Sequence, residues 1–173
     1  MVKKCIFVDR DGVINRSRII RGKPYAPIQF SEFIFLPKVI KAINILKEKK
    51  YLIIVISNQP DVSKGKLKFN ELNKMNEKIY KNLDVDDIFI CTHSREENCN
   101  CRKPRIGLFK KAIKKYSIDT SLSYMIGDRR MDIEAGNKAN VKTIFIDRNY
   151  GEEKPINFDY KCKSLYNSLK FIC

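Results

Sequence analysis

The sequence contains no apolar stretch long enough for a secretory leader or a membrane span, and its opening, MVKKCIFVDRDG, turns charged within a few residues. A soluble, cytoplasmic protein is the expectation. No shift in composition divides the chain, so no second domain is expected. At 173 residues and 43% hydrophobic, the chain can form one domain, 1–173, with a real core. Acidic side chains are scarce, 20 against 35 basic ones, which leaves a net charge of +15. A basic stripe of the kind that reads nucleic acid is also missing. The lysines are scattered over every helical segment among many Asn and Ile, as a composition bias would place them. Nucleic acid is therefore the less favoured partner, and small anions, phosphates especially, suit the charge equally well. Histidine occurs once, which excludes chemistry built on several imidazoles.

What is present alternates between two periodicities. Short apolar runs rich in β-branched residues at Lys4 to Val8, Tyr51 to Ile56, Asp87 to Cys91, Ser123 to Ile126 and Thr143 to Ile146 read as buried strands. Between them Val39, Ile40, Ile43 and Leu46 share a helical face, as do Leu72, Met75, Ile79 and Leu83, and then Phe109, Ala112, Ile113 and Tyr116. A last helix is expected near Ser164 to Phe171. This rhythm predicts an α/β fold, a Rossmann-like three-layer sandwich with a mainly parallel sheet between helices. In such sheets ligands bind at the carboxyl ends of the strands.

Polar groups gather at those ends. In VDRDGVIN, Asp9 and Asp11 follow the first strand and, two residues apart in extended chain, project to the same side. Gly12 then permits a sharp turn or close approach to a ligand, although an ordinary polar turn would look the same. ISNQPDVSKG places Ser57, Asn58 and Gln59 after the second strand, as phosphoryl-binding groups or as a polar loop capping the next helix. CRKPRIG sets Arg102 and Lys103 ahead of a helix, where the dipole already favours anions, and a bound phosphate would explain them. YMIGDRRMDIEAG ends the fourth strand with Asp128 and adds Asp132, which reads first as an acid of the helix's opening turn and second as a catalytic group.

Six cysteines are present, and Cys91, Cys99 and Cys101 cluster with the only histidine, His93, in CTHSREENCNC. Three thiolates and an imidazole form a closed tetrahedral set of the kind that holds structural zinc, and in a cytosolic chain metal is a better reading than disulfides. The loop 91–101 would then be a zinc-bound loop that stiffens the segment carrying Arg102 and Lys103. Cys5 reads as strand core, and Cys162 and Cys173 have no evident partner.

Taken in order, from about Lys3 to Asp147, the four polar loops resemble the motifs of the haloacid dehalogenase-like phosphatase superfamily. The resemblance implies Asp9 as nucleophile, Asp11 as general acid and base, Ser57 as hydrogen-bond donor to the phosphoryl group and Lys103 as neutralising cation. It also implies catalytic Mg2+ on the Asp9 carboxylate, the Asp11 backbone carbonyl and Asp128. Ser57, Asn58, Gln59, Arg102, Lys103 and Arg129 fall at substrate-contact positions, and Ser17 to Ile20 is assigned there too. CxH, a short spacer and CxCRKP resemble the branch that holds heptose 1,7-bisphosphate 7-phosphatases and histidinol-phosphate phosphatases. SNQPDVSKG and EAGNKANV lean to the former, and the five-residue spacer between His93 and Cys99 and GDR lean to the latter. The favoured expectation is a heptose bisphosphatase, a monomer acting on a small phosphorylated sugar. Histidinol-phosphate phosphatase, polynucleotide 3′-phosphatase and a non-enzymatic zinc module are the alternatives. The intervals between motifs leave no room for a cap domain. Arg16, Arg18, Arg21 and Lys23 could seize a second phosphate or form a solvated flap.

Overall fold

In the computed structural model, which describes residues 2–173, six strands form one sheet in which every pairing is parallel. Strand β1 (Cys5–Val8) lies at its middle, flanked by β4 (Leu52–Asn58) and β6 (Tyr124–Gly127). Beyond β4 lies β5 (Asp87–Cys91), and beyond β6 lie β7 (Lys142–Ile146) and β8 (Tyr160–Cys162). The register sets Cys5 opposite Leu52 and Ile6 opposite Tyr124. Chain order therefore reverses direction around β1, which is the crevice where open parallel sheets bind ligands.

The continuous apolar run of β1 follows from having two covered faces. Ile6 and Val8 point into a core shared with α1 (Val39–Glu48), α2 (Phe69–Asn82) and α5 (Leu165–Ile172). Cys5 and Phe7 point to the opposite core, beneath α3 (Gly107–Tyr116) and α4 (Arg130–Lys138). The expected three layers, and Cys5 in the core, are what the chain adopts. α5 starts at its N-cap Ser164, whose hydroxyl accepts the Asn167 N–H, and it covers the core against α1.

Several local expectations change. On α1 the buried face is Val39, Ala42, Ile43 and Leu46, with Ile40 in solvent, because α5 meets the helix along that stripe. β5 is only half-buried, since it is an edge strand. Ser57 and Asn58 belong to β4 rather than to the loop after it. β8 went unpredicted, being three residues long with one buried position, too short to show a period. So did an antiparallel hairpin of β2 (Arg18–Ile20) and β3 (Lys23–Tyr25), closed by Arg21 and Gly22, both at positive φ as a tight two-residue turn demands. That hairpin, one 3-10 turn and α1 fill the interval between Asp9 and Ser57. No described helix is long and apolar enough to cross a membrane.

Phe7 is fully buried with its ring 4.8 Å from that of Phe109. Phe7→Ala should lower stability by about 3–5 kcal/mol, read as a reduced urea midpoint without a change in slope.

Candidate active site

The Asp9 N–H donates to the Ile126 carbonyl at 2.9 Å, so the first residue beyond β1 is tied to the end of β6. The chain then coils tightly, with Ile14 and Asn15 N–H groups returning to the Arg10 carbonyl. Gly12 sits at φ +85°, and a Cβ there would lie 1.7 Å from Asp128 Oδ2. The group that approaches this glycine is not a ligand but the carboxylate of Asp128, the residue after β6.

Asp9, Asp128 and Asp132 are all buried, and ligand atoms of the three lie within 4.8 Å of one another. A single ammonium enters this cluster. Lys103 Nζ lies 2.7 Å from Asp9 Oδ1 and 2.7 Å from Asp132 Oδ1, and donates to the Ile56 carbonyl at 2.6 Å. One cation does not balance three acids. Burial and the neighbouring Asp132 push the Asp9 carboxyl up to about 7, against the pull of Lys103. Burial, Asp9 and Asp132 hold Asp128 well above the usual carboxylate range. Burial opposes charge on Lys103 as well, yet Asp132 and Asp9 outweigh it and keep the ammonium charged.

The oxygens divide the work. Asp132 gives Oδ1 to Lys103 and accepts the Arg129 N–H on Oδ2 at 3.0 Å, so it is both the helix acid read from the sequence and an ion-pair partner. Asp128 Oδ2 accepts the Tyr150 hydroxyl at 2.8 Å, while its buried Oδ1 has no partner. Asp9 engages one oxygen with Lys103. An orphaned carboxylate oxygen beside a second carboxylate, in a site with surplus negative charge, fits a hard divalent cation such as Mg2+.

Asp11 turns its carboxylate away from that cluster. It accepts from Arg10, whose nitrogens lie 3.1–3.3 Å away, from Asn15 Nδ2 at 2.9 Å and from Gln59 Nε2 at 2.6 Å. Gln59 Nε2 also donates to Ser57 Oγ at 2.8 Å, and both residues are fully buried beneath the cavity rather than lining it. Asn58 Oδ1 accepts the Lys103 N–H at 3.0 Å, and its Nδ2 donates to the Lys103 carbonyl at 3.1 Å. This amide clamp positions the lysine. Lys103 thus faces the carboxylates, and α3 starts only at Gly107. Ion pairs, rather than a phosphate at a helix start, account for the cation.

At the end of β5 the soft donors converge. Cys91 Sγ lies 3.6 Å from both Cys99 Sγ and His93 Nδ1, and Cys101 Sγ lies 3.1, 3.4 and 3.2 Å from Cys91 Sγ, Cys99 Sγ and His93 Nδ1. These are near the edges of a tetrahedron around zinc, roughly 3.5–3.8 Å for ordinary Zn–S and Zn–N bonds. All six cysteines are free thiols. Arg102 donates to the His93 carbonyl, and Arg105 to the Cys99 carbonyl, so the loop folds back on itself.

A family model described as polynucleotide kinase 3 phosphatase matches residues 4–162. The chain belongs to this family of haloacid dehalogenase-like phosphatases. It is 36% identical over 155 residues to the D-glycero-beta-D-manno-heptose-1,7-bisphosphate 7-phosphatase of Haemophilus ducreyi, covering 83% of this chain and 82% of that one. It is 35% identical over 150 residues to the histidine biosynthesis bifunctional protein HisB of Blochmanniella floridana, covering 83% of this chain and 41% of that one. Its fold superposes with a TM-score of 0.81 on a crystal structure of D,D-heptose 1,7-bisphosphate phosphatase from B. bronchiseptica, at 23% identity, covering 98% of this chain and 97% of that one.

The phosphatase cavity, about 220 Å³, is lined by Asp9, Asp11, Lys103, Arg102, Arg129 and Tyr25 among others. Arg129 is held by Glu152 through two bonds of 2.9 and 2.7 Å. Of the stretch Ser17 to Ile20 only Ser17 reaches the cavity; Ile19 and Ile20 are exposed. Arg16, Arg18, Arg21 and Lys23 do not line it either, and Arg18 caps the Ala26 carbonyl instead. The hairpin doubles back, so its second strand contributes Pro24, Tyr25 and Ala26. The turn-forming Arg21-Gly22 pair was the one sequence signal for this. Tyr150 and Arg10 carried none.

Two outcomes follow from the charge and the thiol cluster. Mg2+ added to the metal-free site near pH 7 should release protons, because Asp9 and Asp128 must give them up to bind it. Affinity should therefore rise from pH 6 to pH 8, as measured by calorimetry in buffers of differing protonation enthalpy. Chelating zinc should increase hydrogen exchange across 92–106 and lower activity while Mg2+ uptake persists; a zinc-free protein of full activity would contradict the stiffening role.

Proposed function

We propose that this phosphatase is a magnesium-dependent phosphomonoester hydrolase working through an aspartyl-phosphate on Asp9, with D-glycero-D-manno-heptose 1,7-bisphosphate as substrate and its 7-phosphate as the group removed. The observation that carries the reaction is the buried Lys103 between Asp9 and Asp132 at the carboxyl ends of β1 and β4, beside the orphaned Asp128 Oδ1. The heptose assignment is supported by the name of the Haemophilus relative.

Asp9, Asp128 and the Asp11 backbone carbonyl would hold Mg2+, which when bound would supply charge neutralisation between an anionic nucleophile and an anionic phosphate. Asp9 attacks phosphorus through one carboxylate oxygen, and the ester bond to the sugar oxygen breaks. Asp11 protonates the departing alkoxide, then takes a proton from the water that hydrolyses the aspartyl-phosphate. Gln59, Arg10 and Asn15 fix the Asp11 carboxylate for both transfers. Lys103 stabilises charge on the transferring oxygens, and Asp132 and Asn58 keep its ammonium and backbone in place. Ser57, buried beneath the cavity, accepts from Gln59 and so backs the amide that holds Asp11. Arg102 lines the cavity without a carboxylate partner among the described residues, which suits a second phosphate, whereas Glu152 already engages Arg129. The zinc cluster sets Arg102 and Lys103 directly after its last ligand.

The similarity to the histidine biosynthesis protein makes histidinol phosphate the competing substrate. Phosphate release should be measured from heptose 1,7-bisphosphate, histidinol phosphate and a 3′-phosphorylated oligonucleotide. The heptose compound should be turned over best, and Asp9→Asn should lower the rate by more than about 10³-fold. An active Asp9→Asn enzyme would remove Asp9 as nucleophile, and preference for either other compound would replace the substrate while leaving the chemistry.

A further inference from the structure

Beyond β7 the segment Arg148 to Gly151 crosses the site and bonds to both the turn after β1 and the hairpin. Arg148 Nε donates to the Gly12 carbonyl at 2.8 Å, and the Gly151 N–H donates to the Gly22 carbonyl at 2.8 Å, in the turn of the hairpin. Between these anchors Tyr150 sends its hydroxyl to Asp128 Oδ2 at 2.8 Å. A Cβ on Gly12 would come within 2.8 Å of the Tyr150 hydroxyl and 1.7 Å of Asp128 Oδ2, so the turn after β1 leaves room for this contact alone. The segment is thereby anchored on either side of the phenol, which meets a buried carboxylate whose other oxygen, itself buried, has no partner.

We propose that Tyr150 is a positioning residue for the metal site: by engaging Asp128 Oδ2 it turns Asp128 Oδ1 towards the cation and sets the affinity for Mg2+. The inference rests on the magnesium reading of Asp9 and Asp128. A carboxylate with one oxygen fixed by a neutral hydroxyl keeps its full charge for the cation and loses its freedom to rotate. Groups that orient a ligand in this way typically change metal affinity 10–100-fold when removed. Because the same segment also bonds to the Gly22 carbonyl in the hairpin turn, it ties the metal ligand to the hairpin whose second strand lines the cavity.

The test is Mg2+ titration by calorimetry into zinc-replete, phosphate-free wild type, Tyr150→Phe and Asp128→Asn, together with the Mg2+ dependence of phosphate release. Tyr150→Phe should weaken Mg2+ binding about 10–100-fold and raise the half-activating concentration by the same factor, with kcat recovered at saturating Mg2+. Asp128→Asn should bind none. Wild-type affinity in Tyr150→Phe, or a loss of kcat that excess Mg2+ does not recover, overturns the positioning role. A wild type that takes up no Mg2+ overturns the metal reading itself, and this role with it. Should circular dichroism show Tyr150→Phe to be unfolded, Arg148→Ala, which removes the bond anchoring the Tyr150 segment to the Gly12 carbonyl, carries the test. It should weaken Mg2+ binding to a smaller degree, and unchanged affinity would overturn the role.

Discussion

One buried ammonium organises this molecule. Lys103 is almost wholly removed from water, and an unpaired charge there would be costly, so its three protons must each find an acceptor. They find Asp9, Asp132 and the Ile56 carbonyl, which belong to the loop after β1, to α4 and to β4. Three separate parts of the chain are thus drawn to one atom. The same lysine leaves the acids under-compensated, because one positive charge faces three carboxylates. The site consequently holds a shortage of positive charge that a divalent cation can resolve.

Everything around the lysine keeps it there. Asn58 grips its backbone with both ends of an amide, and Asn58 is itself fixed as the last residue of β4. On the other side the chain emerges from the thiol and imidazole cluster only two residues before Lys103, with Cys91 planted at the end of β5. A loop anchored by strand ends and by four soft donors has little freedom, which is what a cation aimed at a developing charge requires. Asp11 receives comparable treatment from Arg10, Asn15 and Gln59. The Asp11 carboxylate and the Lys103 ammonium are therefore held by separate networks.

Much of this was legible before any coordinates. Strand runs covered on both faces have a continuous apolar pattern, and the polar residues that break those runs are the residues at the ligand-binding edge. Asp9, Asp11, Ser57 and Asp128 are found by that rule because they end or follow strands, and Lys103 by its place ahead of a helix. The thiol cluster was legible because metal ligands need particular side chains at short spacings. The hairpin was not, since strands of three residues with mixed burial have no measurable period. Nor was Tyr150, a lone aromatic in a polar loop with no local pattern around it.

The sequence alone determined the order of strands and helices, the residue types gathered at the carboxyl edge and the four donors of the soft cluster, because local periodicity and spacing carry that information. The tertiary structure decided which partners those residues take. It set Asp132 against Lys103, buried Ser57 and Gln59 beneath Asp11, brought the second strand of the hairpin to the cavity in place of its basic first strand, and laid Tyr150 on Asp128. The reason is distance along the chain: contacts between residues tens of positions apart depend on how the strands stack and where each loop returns, and no local pattern encodes them.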